Sequence, residues 1–248
     1  MMLENRVAIV TGAARGIGAA TALLLARQGA KVAVCDIEAE LTEMVSAGIR
    51  AEGKEARTFL CDVSMPTQTD QLVKDVVDVY GKIDILVNNA GICPRIPVDE
   101  MTEEMFDLMF GINLKPIFFL TRAVANVMKP YKWGRVVNIS STGGRIGGIH
   151  NTTVYSGTKG GMLAMTKTLA RHYAPYNILI NAIAPGAVDT RMFENVQTDA
   201  REEYIGTVPL KRMAKPIEIA HSIVHLCSEE TTWVTGATLD VNGGVVMM

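Results

Sequence analysis

The chain is predicted to fold as one doubly wound α/β domain, a parallel sheet of about seven strands with helices on both faces. Three observations predict it. Short apolar, β-branched runs alternate with longer helix-patterned segments along the whole chain. A glycine-rich turn joins the first strand to the first helix. The 248 residues, 48% of them hydrophobic, supply a single large core, with no internal repeat or low-complexity linker.

The elements follow in order. Arg6 to Val10 reads as a buried strand, Thr11 to Gly18 as the glycine turn, and Ala19 to Arg27 as a helix ended by Gln28-Gly29. Lys31 to Cys35 is a second strand closed by Asp36, and a helix covers Glu40 to Ala51. Ala56 to Cys61 is a third strand, and Pro66 opens a helix that runs to Tyr80 and stops at Gly81. A fourth strand is expected at Ile83 to Val87. A long helical stretch spans Thr102 to Met128, divided or kinked at Lys115-Pro116. Gly134 to Ser140 is the fifth strand, a helix carries Tyr155 to Tyr173, and Ile178 to Ala184 is the sixth strand. After Thr190 the pattern carries few helix or strand signals until a helix from Pro216 to Cys227; Thr238 to Val241 is a last short strand. Strands separated by helices of this length imply right-handed crossovers and a Rossmann-like sheet. About 1–135 is expected to form the cofactor half and about 136–248 the catalytic and substrate half of one domain.

Ligands of such sheets bind beyond the carboxyl ends of the strands. Gly12, Asp36, Asp62, Asn89, Ser141 and Pro185 all follow predicted strands at that rim. The turn has the spacing G-x-x-x-G-x-G at Gly12, Gly16 and Gly18, with Arg15 and Ile17 between. Glycines let backbone N–H groups approach a pyrophosphate, and the helix N-terminus adds favourable potential. Asp36 ends the second strand, where a carboxylate accepts from the adenosine ribose hydroxyls and repels a 2′-phosphate. Ile37 brings no positive charge, so NAD is expected, with NADP as the alternative because the Arg15 guanidinium could reach a phosphate.

The chemistry-bearing pair is Tyr155 and Lys159 in Y-S-G-T-K. Residues four apart share one face of a helix. An ammonium held beside the phenol is expected to lower its pKa from the usual value of about 10 and make it a proton donor and acceptor.

Composition excludes other classes. The net charge is −2 and no basic stripe is present, so nucleic acid is not an expected partner. The opening Met1–Arg6 is too short and polar for a signal peptide, no apolar run is expected to reach membrane-spanning length, and a cytoplasmic protein follows. The four cysteines form no C-x-x-C and are expected to be reduced fillers. His221 and His225, four residues apart, lack the glutamate and third ligand of a zinc helix, so no metal is expected. Arg95, Ile96, His150, Met192, Phe193 and Met213 lie in loops that could border a pocket.

From end to end the chain resembles the short-chain dehydrogenase/reductase family. The matching residues are T-G-A-A-R-G-I-G at Thr11 to Gly18, D-V at Asp62-Val63, N-N-A-G at Asn88 to Gly91, Asn113, N-I-S-S at Asn138 to Ser141, Y-S-G-T-K at Tyr155 to Lys159, and P-G-A-V-D-T at Pro185 to Thr190. The resemblance implies a catalytic tetrad of Asn113, Ser141, Tyr155 and Lys159, with Ser140 the rival for the serine. It implies that Asp62 and Val63 contact the adenine and that Asn89, Ala90 and Gly91 line its ribose. It further implies that Pro185 and Gly186 pass close to the nicotinamide and that Val188 and Thr190 hold the carboxamide. Tyr155 would exchange a proton with the oxygen of a ketone or secondary alcohol, Ser141 would hydrogen-bond to that oxygen, Lys159 would also hold the nicotinamide ribose, and Asn113 would fix a water. With D-V-N-G-G near the end, the pattern is similar to the 3-oxoacyl-carrier-protein reductase branch; an NAD-dependent sugar, polyol or other secondary-alcohol dehydrogenase is the alternative. A dinucleotide-binding sensor is the non-enzyme reading. Lys129, Lys132 and Arg135 are the candidate basic residues for an acidic carrier, and the resemblance implies a homotetramer, with the apolar tail Val245 to Met248 buried against another subunit.

Overall fold

A computed structural model describes residues 2–148, 151–194 and 198–248. Its frame is one sheet of seven parallel strands in the order β3-β2-β1-β4-β5-β6-β7. In chain order the elements are β1 (Val7–Thr11), α1 (Gly16–Arg27), β2 (Lys31–Asp36), α2 (Ala39–Ala51), β3 (Ala56–Leu60), α3 (Pro66–Tyr80) and β4 (Ile85–Asn88). They continue as α4 (Glu103–Asn113), α5 (Lys115–Met128), β5 (Gly134–Ile139), α6 (Gly143–Ile146), α7 (Thr153–Tyr173), β6 (Ile178–Pro185), α8 (Arg191–Glu194), α9 (Thr198–Thr207), α10 (Pro216–Cys227) and β7 (Thr238–Val241).

Both faces of the sheet are covered, which is why its strands read as near-continuous apolar runs. Strand alternation sorts the core into two layers. Ala8 and Val10 of β1 pack with Leu25 of α1, Ile49 of α2 and Ile223 of α10. Val7 and Ile9 face the other way, onto Leu72 of α3, Leu120 of α5 and Met162 of α7.

Several boundaries differ from expectation for local reasons. The fourth strand begins at Ile85, because the Asp84 carboxylate accepts from the Val7 backbone N–H and pairs with Arg6 and Lys82. The long helix breaks at Leu114, whose φ of −120° leaves the helical region just before Lys115-Pro116. The weakly patterned stretch after Thr190 contains α8 and α9.

One exclusion needs correction. Glu103–Tyr131 is long and apolar enough, by length and composition, to cross a membrane, with a mean hydropathy of 1.3 in its best window. That window is 50% buried within the chain, because α5 supplies Ile117, Leu120 and Val124 to the core beneath the sheet. The run is thus two packed core helices.

The strand order reverses between β1 and β4, where helices leave the sheet on opposite faces. That switch point opens a crevice at the carboxyl ends of the strands, and the cleft described next lies there.

Candidate active site

A cleft of 780 Å³ runs across the carboxyl edge of the sheet, within the size range of about 300–1,000 Å³ usual for small-molecule sites. Its lining includes Gly12, Arg15, Gly16, Ile17, Asp36, Asp62, Val63, Asn89, Ala90, Gly91, Ser141, Tyr155, Lys159, Pro185, Gly186, Val188 and Thr190. Of the anticipated site residues, Gly18 and Asn113 stand behind this surface.

The glycine loop is held from below. The Thr11 hydroxyl accepts from the backbone N–H groups of Asn89 and Ala90 at 3.0 and 3.1 Å. The Asn89 amide donates back to the Thr11 and Gly12 carbonyls, both at 2.9 Å. Asn89 therefore ties the end of β4 to the loop as well as lining the cleft. Gly12 has φ +63°, and a Cβ there would sit 2.7 Å from the Ala90 Cα. Gly18 packs onto the Gly12 carbonyl, where a Cβ would clash, so the loop closes tightly on the start of α1. The first intrahelical bond of α1 runs from the Ala19 N–H to the Arg15 carbonyl, and no side chain caps the helix. The N–H groups of Gly16, Ile17 and Gly18 therefore lie ahead of the helical ladder, where pyrophosphate oxygens are bound in such turns.

At the adenosine end, the Asp36 carboxylate accepts from Ala14, Ile37 and Glu38 backbone N–H groups at 3.0, 2.7 and 3.3 Å. Arg15, the candidate partner for a 2′-phosphate, is paired with Glu38. Glu38 also lines the cleft and is a residue the sequence reading missed. The available signal was an acid two positions beyond Asp36, opposite the loop arginine. Asp62 accepts from the Ser64 N–H at 2.9 Å, fixing the turn that presents Asp62 and Val63 to the cleft.

At the catalytic end Lys159 is buried, and Tyr155 and Ser141 are half-buried where they line the cleft. Tyr155 and Lys159 sit one turn apart on α7, with the ammonium 5.7 Å from the phenol ring centre. Lys159 donates to the Ile139 carbonyl at 2.6 Å. Burial lowers its pKa to about 8. Burial also raises the Tyr155 pKa, against a smaller downward pull from the Ser141 hydrogen bond. The expectation of a lowered phenol pKa is therefore corrected. Desolvation outweighs the Ser141 hydrogen bond and the Arg95 charge here.

The two serines divide. The Ser140 hydroxyl is buried and donates to the Lys159 carbonyl at 3.0 Å. The Ser141 hydroxyl lines the cleft, bonds to Tyr155 and accepts from the Gly143 N–H at 3.1 Å. Asn113 ends α4, fully buried; its carbonyl oxygen accepts from the Ile92 N–H at 2.8 Å and its amide donates to the Ile92 carbonyl and the Thr158 hydroxyl. A Cβ on Gly91 would lie 3.2 Å from the Asn113 oxygen and 3.5 Å from the Lys159 nitrogen, so Gly91 separates the two. Beneath the site, Asn88 donates to Asn138 at 2.8 Å and Asn138 donates to Thr166 at 2.9 Å. The asparagines of N-N-A-G and N-I-S-S thus include a buried ladder that crosses from β4 through β5 to α7.

The remaining walls are largely apolar. Arg95, Met192 and Phe193 line the cleft as anticipated, whereas Ile96 and Met213 do not, and His150 lies outside the described residues. Arg95 lies 5.7 Å from the Phe193 ring, and Phe193 packs on Tyr204. Cys93, Ile146, Thr152, Tyr204, Val245 and Val246 also line it without having been foreseen. Val246 is buried in its own chain, with its carbonyl accepting from Asn242, so only Met247 and Met248 of the tail remain exposed. Among the described residues no group of three His, Cys, Asp or Glu side chains is placed to hold a metal.

Comparisons with known proteins bear on the whole chain and its fold. A family model described as enoyl-(acyl carrier protein) reductase matches residues 12–246. The chain is 41% identical to a 3-oxoacyl-[acyl-carrier-protein] reductase FabG of Thermotoga maritima, over all of both chains. It is 38% identical to a 3-oxoacyl-[acyl-carrier-protein] reductase of Synechocystis, covering 99% of this chain and 98% of that one. It is 35% identical to the (2S)-[(R)-hydroxy(phenyl)methyl]succinyl-CoA dehydrogenase subunit BbsD of Thauera aromatica, covering 98% of each. The crystal structure of gox2181 superposes with a TM-score of 0.95 at 31% identity, covering 98% of this chain and 96% of that one.

Proposed function

Taking as premise that the chain belongs to the short-chain dehydrogenase/reductase family, and is a nicotinamide-dinucleotide-dependent oxidoreductase acting between ketones and secondary alcohols, we propose that it interconverts 3-oxoacyl and 3-hydroxyacyl thioesters with NAD(H) as the preferred cofactor. The observation that carries the cofactor preference is the paired acids at the adenosine end. Asp36 faces the cleft, and Glu38 engages Arg15, the cation that would otherwise meet a 2′-phosphate. The thioester reading draws on relatives whose names specify 3-oxoacyl and succinyl-CoA substrates, and on the apolar wall of Ile92, Ile146, Met192, Phe193 and Val246 beside Tyr155.

The dinucleotide supplies hydride to the substrate carbon in reduction, or accepts it in oxidation. The chain's own residues manage the proton and the oxygen. Tyr155, protonated at neutral pH, donates its proton as charge develops on the carbonyl oxygen. Ser141 donates a hydrogen bond to the same oxygen, with its lone pair engaged by the Gly143 N–H. Lys159, charged below about pH 8, stabilises the phenolate left behind. Asn113 holds the end of α4 against the loop carrying Gly91 and Ile92, on the side where Lys159 enters.

Delivery by an acidic carrier through Lys129, Lys132 and Arg135 is not part of this proposal. Those residues lie at the amino end of β5, across the sheet from the cleft. Arg135 is fully buried, stacked against Trp133 and donating to the Gly134 and Ser228 carbonyls.

The test is a panel of 3-oxoacyl-CoA thioesters, 3-oxo esters, sugars and polyols, each with NADH or NADPH (or their oxidised forms), followed by nicotinamide absorbance. The expected result is the highest kcat/KM for a 3-oxoacyl thioester with NADH. A polyol turned over faster with NAD would replace the thioester reading, and dinucleotide binding without turnover of any substrate would leave a sensor.

A further inference from the structure

The segment that carries Ser141 is inherently loose. It forms a single turn, α6, with Gly143 and Gly144 inside it and Gly147 and Gly148 after it. Four glycines around one turn carry a high conformational entropy, and one turn does not sustain a helix alone. Yet the Gly143 N–H must be aimed at the Ser141 oxygen, which it meets at 3.1 Å.

One side chain in this turn anchors it. Arg145 Nε donates to Asp240 Oδ1 at 3.0 Å, and its terminal nitrogen donates to Asp240 Oδ2 at 2.8 Å and to the Thr238 carbonyl at 3.0 Å. The fork geometry fixes orientation as well as distance. Both side chains are shielded, at 17% and 18% exposure. The other pairs among the described residues in which an arginine engages both oxygens of one carboxylate, Arg27–Glu52 and Arg212–Glu218, are exposed at 38% or more. Such exposed pairs contribute little.

Asp240 lies on β7, which pairs with β6 so that Ala184 faces Asp240 and Pro185 faces Val241. The Gly186 N–H donates to the Val241 carbonyl, and the Thr142 N–H donates to the Pro185 carbonyl. The edge strand β7 therefore grips both the Ser141 turn and the Pro185-Gly186 wall. Neither Arg145 nor Asp240 lines the cleft.

We infer that Arg145 and Asp240 are positioning residues for this reaction: their pairing pins the glycine-rich turn to β7 and so holds the Ser141 hydroxyl against Tyr155. The inference rests on the catalytic reading above. Neither residue contacts substrate or dinucleotide; they act through the Gly143 N–H and Ser141.

The experiment measures kcat, KM, NADH affinity and the pH profile of alcohol oxidation for Arg145→Met, Arg145→Lys, Asp240→Asn and the swapped pair Arg145→Asp with Asp240→Arg. Arg145→Met is expected to lower kcat by about tenfold or more, because small misplacements of a reacting group are costly, while NADH affinity stays within about twofold. The Ser141 bond pulls the Tyr155 pKa down, so loosening it should move the rising limb of the oxidation profile, where the phenol loses its proton, to higher pH. Arg145→Lys or the swapped pair should recover part of kcat and move the limb back. If Arg145→Met does not fold, Asp240→Asn, which keeps one acceptor oxygen, carries the same comparison. A kcat unchanged in the soluble variants, or a loss that follows the folded fraction with the pH limb unmoved, overturns the inference. Wild-type enzyme without turnover would instead sink the catalytic reading itself.

Discussion

The two ends of the cleft handle charge in opposite ways. At the adenosine end, Asp36 is held at a strand terminus by three backbone N–H groups, and the Glu38–Arg15 pair is partly exposed. At the catalytic end, Tyr155 and Lys159 are desolvated, and their proton affinities move because of it. The first end discriminates by the sign of charge in a partly aqueous setting, so changing a side chain should change which dinucleotide binds. The second works by burial, so its substitutions should alter proton transfer and stability while leaving cofactor choice alone.

The larger effect should appear at the buried end. The Lys159 pKa falls from 10.5 to about 8 on folding. Between those values the unfolded chain binds more protons than the folded one, so stability contributed through Lys159 rises as pH increases from about 8 to about 10.5. A tenfold change in proton affinity corresponds to about 1.4 kcal/mol. Urea midpoints of the ligand-free protein should therefore show an upward component over this window that is missing in Lys159→Met. Identical slopes in the two proteins would mean that the ammonium is solvated, and the contrast between the two ends would break.

A smaller effect is expected at the open end. Asp36→Ala combined with Ile37→Arg removes a carboxylate and adds a cation beside the adenosine ribose. The ratio of kcat/KM for NADPH over NADH should rise by about tenfold, which is about 1.4 kcal/mol. Adding Glu38→Gln, which releases Arg15, should raise it further. An unchanged ratio would remove charge as the basis of cofactor choice.

Much of this was legible in the sequence, because strand and helix periodicities and the glycine turn are local signals. The bounds of α3, α10 and β7 follow directly from Pro66 with Gly81, from Pro216, and from the short β-branched run at Thr238. Ser141 lines the cleft, and Asn113 lies behind it at the end of α4, tied to Ile92. What could not be read is tertiary. Glu38 reaches Arg15 across 23 positions of chain. α9 has little amphipathic pattern and is placed by the Phe193–Tyr204 contact. The direction of the Tyr155 shift depends on how much wall closes over the phenol, and Y-x-x-x-K does not encode that. Arg135 looked like a surface cation because its burial against Trp133 and the Ser228 carbonyl is a property of the packed sheet.

The most direct test of the central claim, that the Tyr155 hydroxyl is the proton donor on the floor of this cleft, is ketone-dependent NADH oxidation by Tyr155→Phe alongside its NADH affinity. The account predicts a loss of at least about 10²-fold in kcat, in line with removal of a general acid, with NADH affinity within about twofold of wild type. A variant that keeps near wild-type turnover would contradict it.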